Sequence, residues 1–238
     1  MNVLAIIPAR GGSKSLPRKN LRLLAGKPLI YYVIQTALHS VSTNRTIVST
    51  DDQQISDMAQ EYGAEVPFRR PPELSGDAVP DFPVLLHAVN YLQENEDYYP
   101  DIVVHLRPTY PLIIPEDIDR TVTSLIDNQV DSARTICPVS YHPYWMKELI
   151  DGWLVPLMET KGVAYRRQDL PPIYRTSGVD ATKTRCLTEE QRIIGEHVRA
   201  VLTDRERVID IDTSHDLILA ECLLNILKKD IRAPDWWK

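Results

Sequence analysis

The chain has 238 residues, 43% hydrophobic and 25% charged, with a net charge of −6 at pH 7. That is ordinary globular composition with apolar material for one sizeable core, and its acidic balance disfavours nucleic acid or anionic lipid as partners, so an anionic substrate needs a local basic site. Cys137, Cys186 and Cys222 lack metal or redox spacing, and no run of about 18 apolar residues occurs, so a cytoplasmic protein with reduced thiols and no membrane span or secretion signal is expected.

Val3 to Pro8 is a short apolar run met at once by a glycine-containing loop, the pattern of a buried parallel strand that delivers its carboxyl end to a site. A helix is predicted from Pro28, with Leu29, Val33, Ile34 and Ala37 on one face. A strand over 45–50 ends in Ser49-Thr50-Asp51-Asp52, which can cap the next helix of Ile55, Met58 and Ala59. Strands at 64–68 and 101–106 and helices at 82–93 and 115–126 continue the rhythm. Such alternation predicts an α/β, Rossmann-like, mostly parallel sheet wrapped by helices, with ligands at the carboxyl ends of the strands.

From Cys137 to Arg185 prolines interrupt the pattern, and Tyr141, Tyr144, Trp145, Trp153, Tyr165 and Tyr174 cluster. One domain over residues 1–238 is expected, with an inserted lobe at about 138–185 that packs against a twofold mate in a homodimer. Order returns with strands at 198–202 and 208–211 and a final helix bearing Leu217, Ala220, Leu224 and Leu227. The six histidines have no two-ligand helical spacing, and the place of Trp236-Trp237 is open.

The loop Arg10-Gly11-Gly12-Ser13-Lys14-Ser15-Leu16-Pro17-Arg18-Lys19-Asn20 holds four cations and two glycines directly after a strand. Glycines let backbone N–H groups approach an anion and the cations neutralise it, so a polyphosphate is the natural ligand. The spacing excludes a Walker A loop and a dinucleotide fingerprint: Ser13 precedes the lysine, and Gly11-Gly12 is the only glycine pair.

From residues 7–14 with Lys19-Asn20 onward, the chain resembles the acylneuraminate cytidylyltransferases, the CMP-sialic acid synthetase-like nucleotidyltransferases. The motifs are Ile7-Pro8-Ala9-Arg10-Gly11-Gly12-Ser13-Lys14, then Val48-Ser49-Thr50-Asp51, Arg70-Pro71-Pro72-Glu73-Leu74 with Asp77, residues 106–112, and Asp210-Ile211-Asp212-Thr213 with Asp216. The resemblance implies attack by the anomeric hydroxyl of an acidic nine-carbon 2-keto sugar on the α-phosphate of CTP, giving a CMP-sugar and pyrophosphate. It further implies that Arg10, Gly11, Gly12, Ser13, Lys14, Lys19 and Asn20 embrace the nucleotide, with Arg70, Asp77 and Arg107 near it. Arg167 and Gln168 would meet the sugar, and Lys14, Lys19 and Asp212 would serve catalysis. The family commonly has glutamine at 107 and serine at 110, and its Asn-Gly-Ala-Ile-Tyr stretch stands here as Ser177-Gly178-Val179-Asp180-Ala181. Those departures leave the particular nonulosonic acid open, and Arg107 keeps GTP as the alternative nucleotide.

Asp210 and Asp212 are two apart, so on an extended strand both carboxylates share one face while Ile209 and Ile211 pack on the other. Magnesium takes a few carboxylates plus phosphate oxygens and water, so this pair is the expected Mg2+ site. An inactive nucleotide-binding relative is the reading from another class, and the intact aspartate pair argues for catalysis.

Overall fold

The computed structural model describes residues 1–127, 129–158, 166–230 and 233–237, with the backbone alone at Arg167. β1 (Val3–Pro8) lies inside a six-stranded sheet whose strands stand in the order 198–202, 132–138, 174–183, 102–106, β1, 45–49. Its residues are buried on both faces: Val3, Ala5 and Ile7 join one apolar cluster, and Leu4 and Ile6 join another. That double burial is why the run reads as continuous apolar rather than alternating.

β2 (Leu23–Leu24) and β3 (Lys27–Pro28) form a small hairpin that leads into α1 (Leu29–His39). β4 (Arg45–Ser49) runs parallel to β1, and α2 (Gln53–Glu61) follows, capped where the Asp52 carboxylate accepts the Ile55 N–H at 3.0 Å. The strand expected at 64–68 is not formed: Glu65 and Arg69 make single bridges to Ile47 and Thr50, so the sheet frays at this edge. α3 (Asp81–Glu96), β5 (Ile102–Leu106) and α4 (Pro115–Thr123) come next, with β5 parallel to β1.

β6 (Ser132–Pro138) ends at the carboxyl edge, where the chain leaves the sheet. It builds a hairpin of β7 (Lys147–Ile150) and β8 (Trp153–Pro156), then re-enters as β9 (Tyr174–Lys183). A chain that leaves and returns at one edge must run backwards, and β9 is accordingly antiparallel to both β5 and β6. The excursion therefore spans 139–173, shorter than the expected 138–185, because 174–183 belongs to the central sheet. Tyr165, one of its aromatics, lies outside the described residues.

After α5 (Thr184–Thr188), β10 (Val198–Leu202) extends the sheet parallel to β6, and α6 (Ser214–Leu227) closes the chain against β2. The strand expected at 208–211 is absent, yet its alternation holds: Ile209 and Ile211 are buried with Leu16, Leu29 and Leu224 while Asp212 is exposed. Ile211 is anchored by one backbone bond to Thr109, and Thr213 caps α6 in a capping box with Asp216. Trp237 is buried in the same cluster and Trp236 stacks on His39 at 4.1 Å, so the tryptophan pair docks on its own chain.

Candidate active site

The basic loop leaves β1 and is held from three sides. Ala9 donates its N–H to Ser49 O at 2.9 Å, the Gly11 N–H reaches the Asp51 carboxylate at 2.9 Å, and Asn20 Nδ2 bonds Arg10 O at 3.0 Å. A Cβ at Gly11 would stand 2.7 Å from Asp52 Oδ2, so this backbone can lie against the β4 end only as glycine. A Cβ at Gly12 would meet nothing within 4 Å.

The loop's cations are partnered by carboxylates that a phosphate can displace. Asp77 sits 2.8 Å from Arg10 and 2.6 Å from Lys14, whose ammonium lowers the Asp77 pKa. Arg18, left-handed at φ 59°, pairs with Asp52 at 2.5 Å and turns away from the cavity. Lys19 Nζ spans the floor, bonding Ile211 O at 2.9 Å and Asp212 at 2.7 Å. One lysine thus ties the loop to the aspartate pair across more than half the chain.

Arg70 is buried at 4% exposure beneath this loop, with Nε bonded to Ser49 Oγ at 3.0 Å and a further bond to Ser49 O. Burial pulls its pKa down to about 10. Desolvation penalises a guanidinium that makes no close ion pair among the described residues, so this charge fits an anionic or strongly polar ligand.

On the other side of the cavity, Asp180 of β9 is 2% exposed and takes Arg134 Nε at 2.7 Å and Arg107 Nη1 at 3.0 Å. Burial works to raise its pKa, but the two guanidiniums outweigh it and the carboxyl stays ionised. Arg107 Nη2 also reaches Asp81 at the start of α3, at 3.4 Å. His105 is buried beneath them, and burial together with the Arg107 charge pushes its pKa down to about 4. Neither of its ring nitrogens has a hydrogen-bond partner, and Nε2 lies 3.7 Å from Asp81.

Tyr110 packs on Gly178, whose φ of 104° and missing Cβ make the room; a Cβ there would lie 2.7 Å from the Tyr110 ring. Burial first, and then the neighbouring Asp210 carboxylate, raise the Tyr110 pKa.

A profile of the Cytidylyltransferase family matches residues 4–231. The chain belongs to the cytidylyltransferase family. It is accordingly a nucleotidyltransferase. The cytidylyltransferase is 34% identical over 227 residues to the pseudaminic acid cytidylyltransferase of Campylobacter jejuni serotype O:2, covering 95% of this chain and 97% of that protein. It is 35% identical over 230 residues to the CMP-N,N'-diacetyllegionaminic acid synthase of Legionella pneumophila, again covering 95% and 97%. The solved CMP:2-keto-3-deoxy-manno-octonic acid synthetase, complexed with CTP, superposes with a TM-score of 0.68 at 20% identity, covering 95% of this chain and 99% of that one, which establishes the shared fold.

Within this cytidylyltransferase, Arg10, Ser13, Lys14, Lys19, Asn20, Arg107 and Asp212 line one cavity of about 370 Å³. Arg70 and Asp77 line an adjoining one of about 230 Å³, and Arg10 and Asp81 border both. Asp210 lines neither and stands by Tyr110. Gln168 is not brought to this site within one chain; it lines a separate cavity of about 490 Å³ in the excursion, because the hairpin segment stands off the sheet. The Arg167 side chain lies outside the described residues. His142 plays a local part, Nδ1 accepting the Tyr144 N–H and Nε2 facing Pro171 O. Asp81, His105 and Arg134 belong to no motif in the sequence: Asp81 opens α3, His105 is one histidine among six, and Arg134 stands beside Thr135 in β6, so only the packing of α3 on β5 and of β9 between β5 and β6 joins them.

Proposed function

We propose that this cytidylyltransferase transfers CMP from CTP to the anomeric hydroxyl of a nonulosonic, sialic acid-like 2-keto sugar acid and releases pyrophosphate. The observation that carries this reading is the single cavity in which the strand-end basic loop meets Asp212 through Lys19 at 2.7 Å. The relatives named for pseudaminic and legionaminic acids support the acceptor class.

In this reading Arg10 and Lys14 leave Asp77 for the β- and γ-phosphates, and the backbone around Gly12 approaches the phosphate oxygens. Arg70 lies under the nucleoside end in the adjoining cavity. Lys19 stands by the α-phosphate, where its charge balances the developing negative charge. The acceptor oxygen forms the new P–O bond as the bond to pyrophosphate breaks, and the hydroxyl proton passes to solvent or a carboxylate at the floor.

Asp212, which lines the cavity, would hold Mg2+, and Asp210, which stands by Tyr110 outside it, would join by turning toward Asp212. Among the described residues no cluster of three or more carboxylate, histidine or cysteine ligands forms, so the chain would supply at most these two carboxylates and the triphosphate and water the rest, a donor set that suits magnesium. When bound, the ion supplies Lewis-acid polarisation of the phosphate and a lower pKa for the attacking hydroxyl.

We further propose a homodimer through the hairpin of the excursion. Leu149, Trp153 and Leu154 are 73%, 76% and 75% exposed there, an apolar surface that a free monomer rarely presents. Such pairing would also offer Arg167 and Gln168 to the neighbouring site. Light scattering of the wild type and of Trp153→Lys checks the dimer; a wild-type monomer at micromolar concentration removes it.

Pyrophosphate release with magnesium, CTP or GTP, and a panel of nonulosonic acids tests the reaction. Turnover with CTP and one such acid is expected. Turnover with GTP alone would replace the nucleotide assignment, and none with any acid would overturn the acceptor class.

A further inference from the structure

The sheet order divides the cavity into two walls. Arg10, Lys14 and Lys19 come from the loop after β1 and serve the phosphates in the reading above, whereas Arg107, just past the end of β5, is the one lining arginine or lysine from outside that loop among the described residues. Its neighbours are the β9 and β6 residues Asp180 and Arg134, on the side of the sheet from which the excursion rises.

Arg107 is held unequally. The contact to Asp180 is 3.0 Å and its carboxylate is buried and shared with Arg134, so it fixes the guanidinium plane. The contact to Asp81 is 3.4 Å, and that carboxylate is 42% exposed. Asp81 also has a second partner at hand, since His105 Nε2 lies 3.7 Å away with no hydrogen bond of its own. A buried ring nitrogen without a partner is unfavourable, which favours moving Asp81 onto it.

We propose that Arg107 receives the carboxylate of the acceptor sugar acid, Asp81 passing from Arg107 to His105 as that carboxylate arrives. The inference rests on the acceptor class proposed above and assigns Arg107 to the acceptor rather than to the nucleotide its motif implies. A planar guanidinium fork aimed by a fixed carboxylate is the group that distinguishes a carboxylate from a neutral amide of the same shape. The incoming carboxylate takes the place at the guanidinium that Asp81 leaves, so Arg107 keeps one exposed anionic partner beside the buried Asp180.

The test titrates the full-length protein, with magnesium and a non-hydrolysable CTP analogue, with N-acetylneuraminic acid, legionaminic acid, pseudaminic acid and their carboxamides, and measures KM for the best acid and for CTP. The wild type should bind the acid about 100-fold more tightly than its carboxamide, a comparison that requires no variant. Arg107→Gln should erase that preference and raise acceptor KM about 100-fold, with KM for CTP within about threefold of wild type, and Arg107→Lys should recover part of the loss. A preference intact in Arg107→Gln, no preference in the wild type, or a shift confined to the KM for CTP overturns the inference. Turnover alongside any of those results sinks this inference and leaves the proposed reaction standing. An Arg107-dependent preference without turnover does the reverse, and neither binding nor turnover sinks both.

Discussion

The two walls of the cavity are built on opposite plans. On the β1–β4 side the ligand groups are neighbours in sequence: residues 10–20 form one loop, and its charges Arg10 and Lys14 are solvent-facing and paired with the accessible Asp77. On the β5–β9–β6 side Asp81, His105, Arg107, Arg134 and Asp180 come from four elements and one strand end, and they centre on a carboxylate 2% exposed. The first wall can exchange its carboxylate for a phosphate at little structural cost, since exposed ion pairs contribute little. The second wall is part of the folded core, and altering it must disturb stability and binding together.

The largest expected separation is at Lys14. Lys14→Ala should lower turnover about 1000-fold by removing a positioned cation, while its melting temperature stays at the wild-type value; a calorimetric scan beside a pyrophosphate assay decides it. Asp212→Asn should likewise fold, retain nucleotide binding and lose nearly all single-turnover chemistry across a magnesium titration. If either variant turns over normally, the first wall is not where the chemistry occurs.

On the second wall, Asp180→Asn should cost stability as well as function. Removing a buried partner from two guanidiniums, each about 30% exposed, should lower unfolding free energy by about 2 kcal/mol, less than for a fully buried pair. Urea unfolding measures this, and an unchanged midpoint would erase the contrast between the walls.

His105 adds a pH signature to that wall. Its folded pKa lies near 4 against an ordinary value of 6.5, so between those limits the unfolded chain binds a proton that the folded chain refuses. The contribution is fully present above pH 6.5, declines as pH falls, and levels off below about 4. Unfolding free energy measured from pH 7 to 4 should show this slope, and His105→Leu should flatten it.

The smallest effects divide the two loop glycines. Gly12→Ala adds a Cβ in open space and should change stability by less than about 0.5 kcal/mol. Gly11→Ala drives a Cβ onto Asp52 and should displace the loop, lowering both the melting temperature and nucleotide affinity. Equal behaviour of the two would show that the loop is not fitted against the end of β4.

Local patterns carried most of the fold and the whole first wall. The apolar run of β1, the capping Asp52, the periodicity of α1 and α6 and the contiguous basic loop all act through neighbours a few residues apart, so their physics is visible in linear order. The 64–68 segment lies beside β4 but bridges it only through Glu65 and Arg69, too few contacts for a continuous ladder, and 208–211 alternates in burial yet is tied by one backbone bond, from Ile211 to Thr109.

The amino-acid sequence by itself determined an α/β chain with a strand-end anion site, and with an aspartate pair whose flanking isoleucines are buried. Tertiary structure alone decided that Tyr174–Lys183 re-enters the sheet antiparallel, that Asp180 thereby meets Arg107 and Arg134, and that Gln168 lies away from the cavity of its own chain. The reason is the range of the forces involved: strand and loop signals depend on residues within a turn or two, whereas a buried ion pair depends on which distant strands become neighbours.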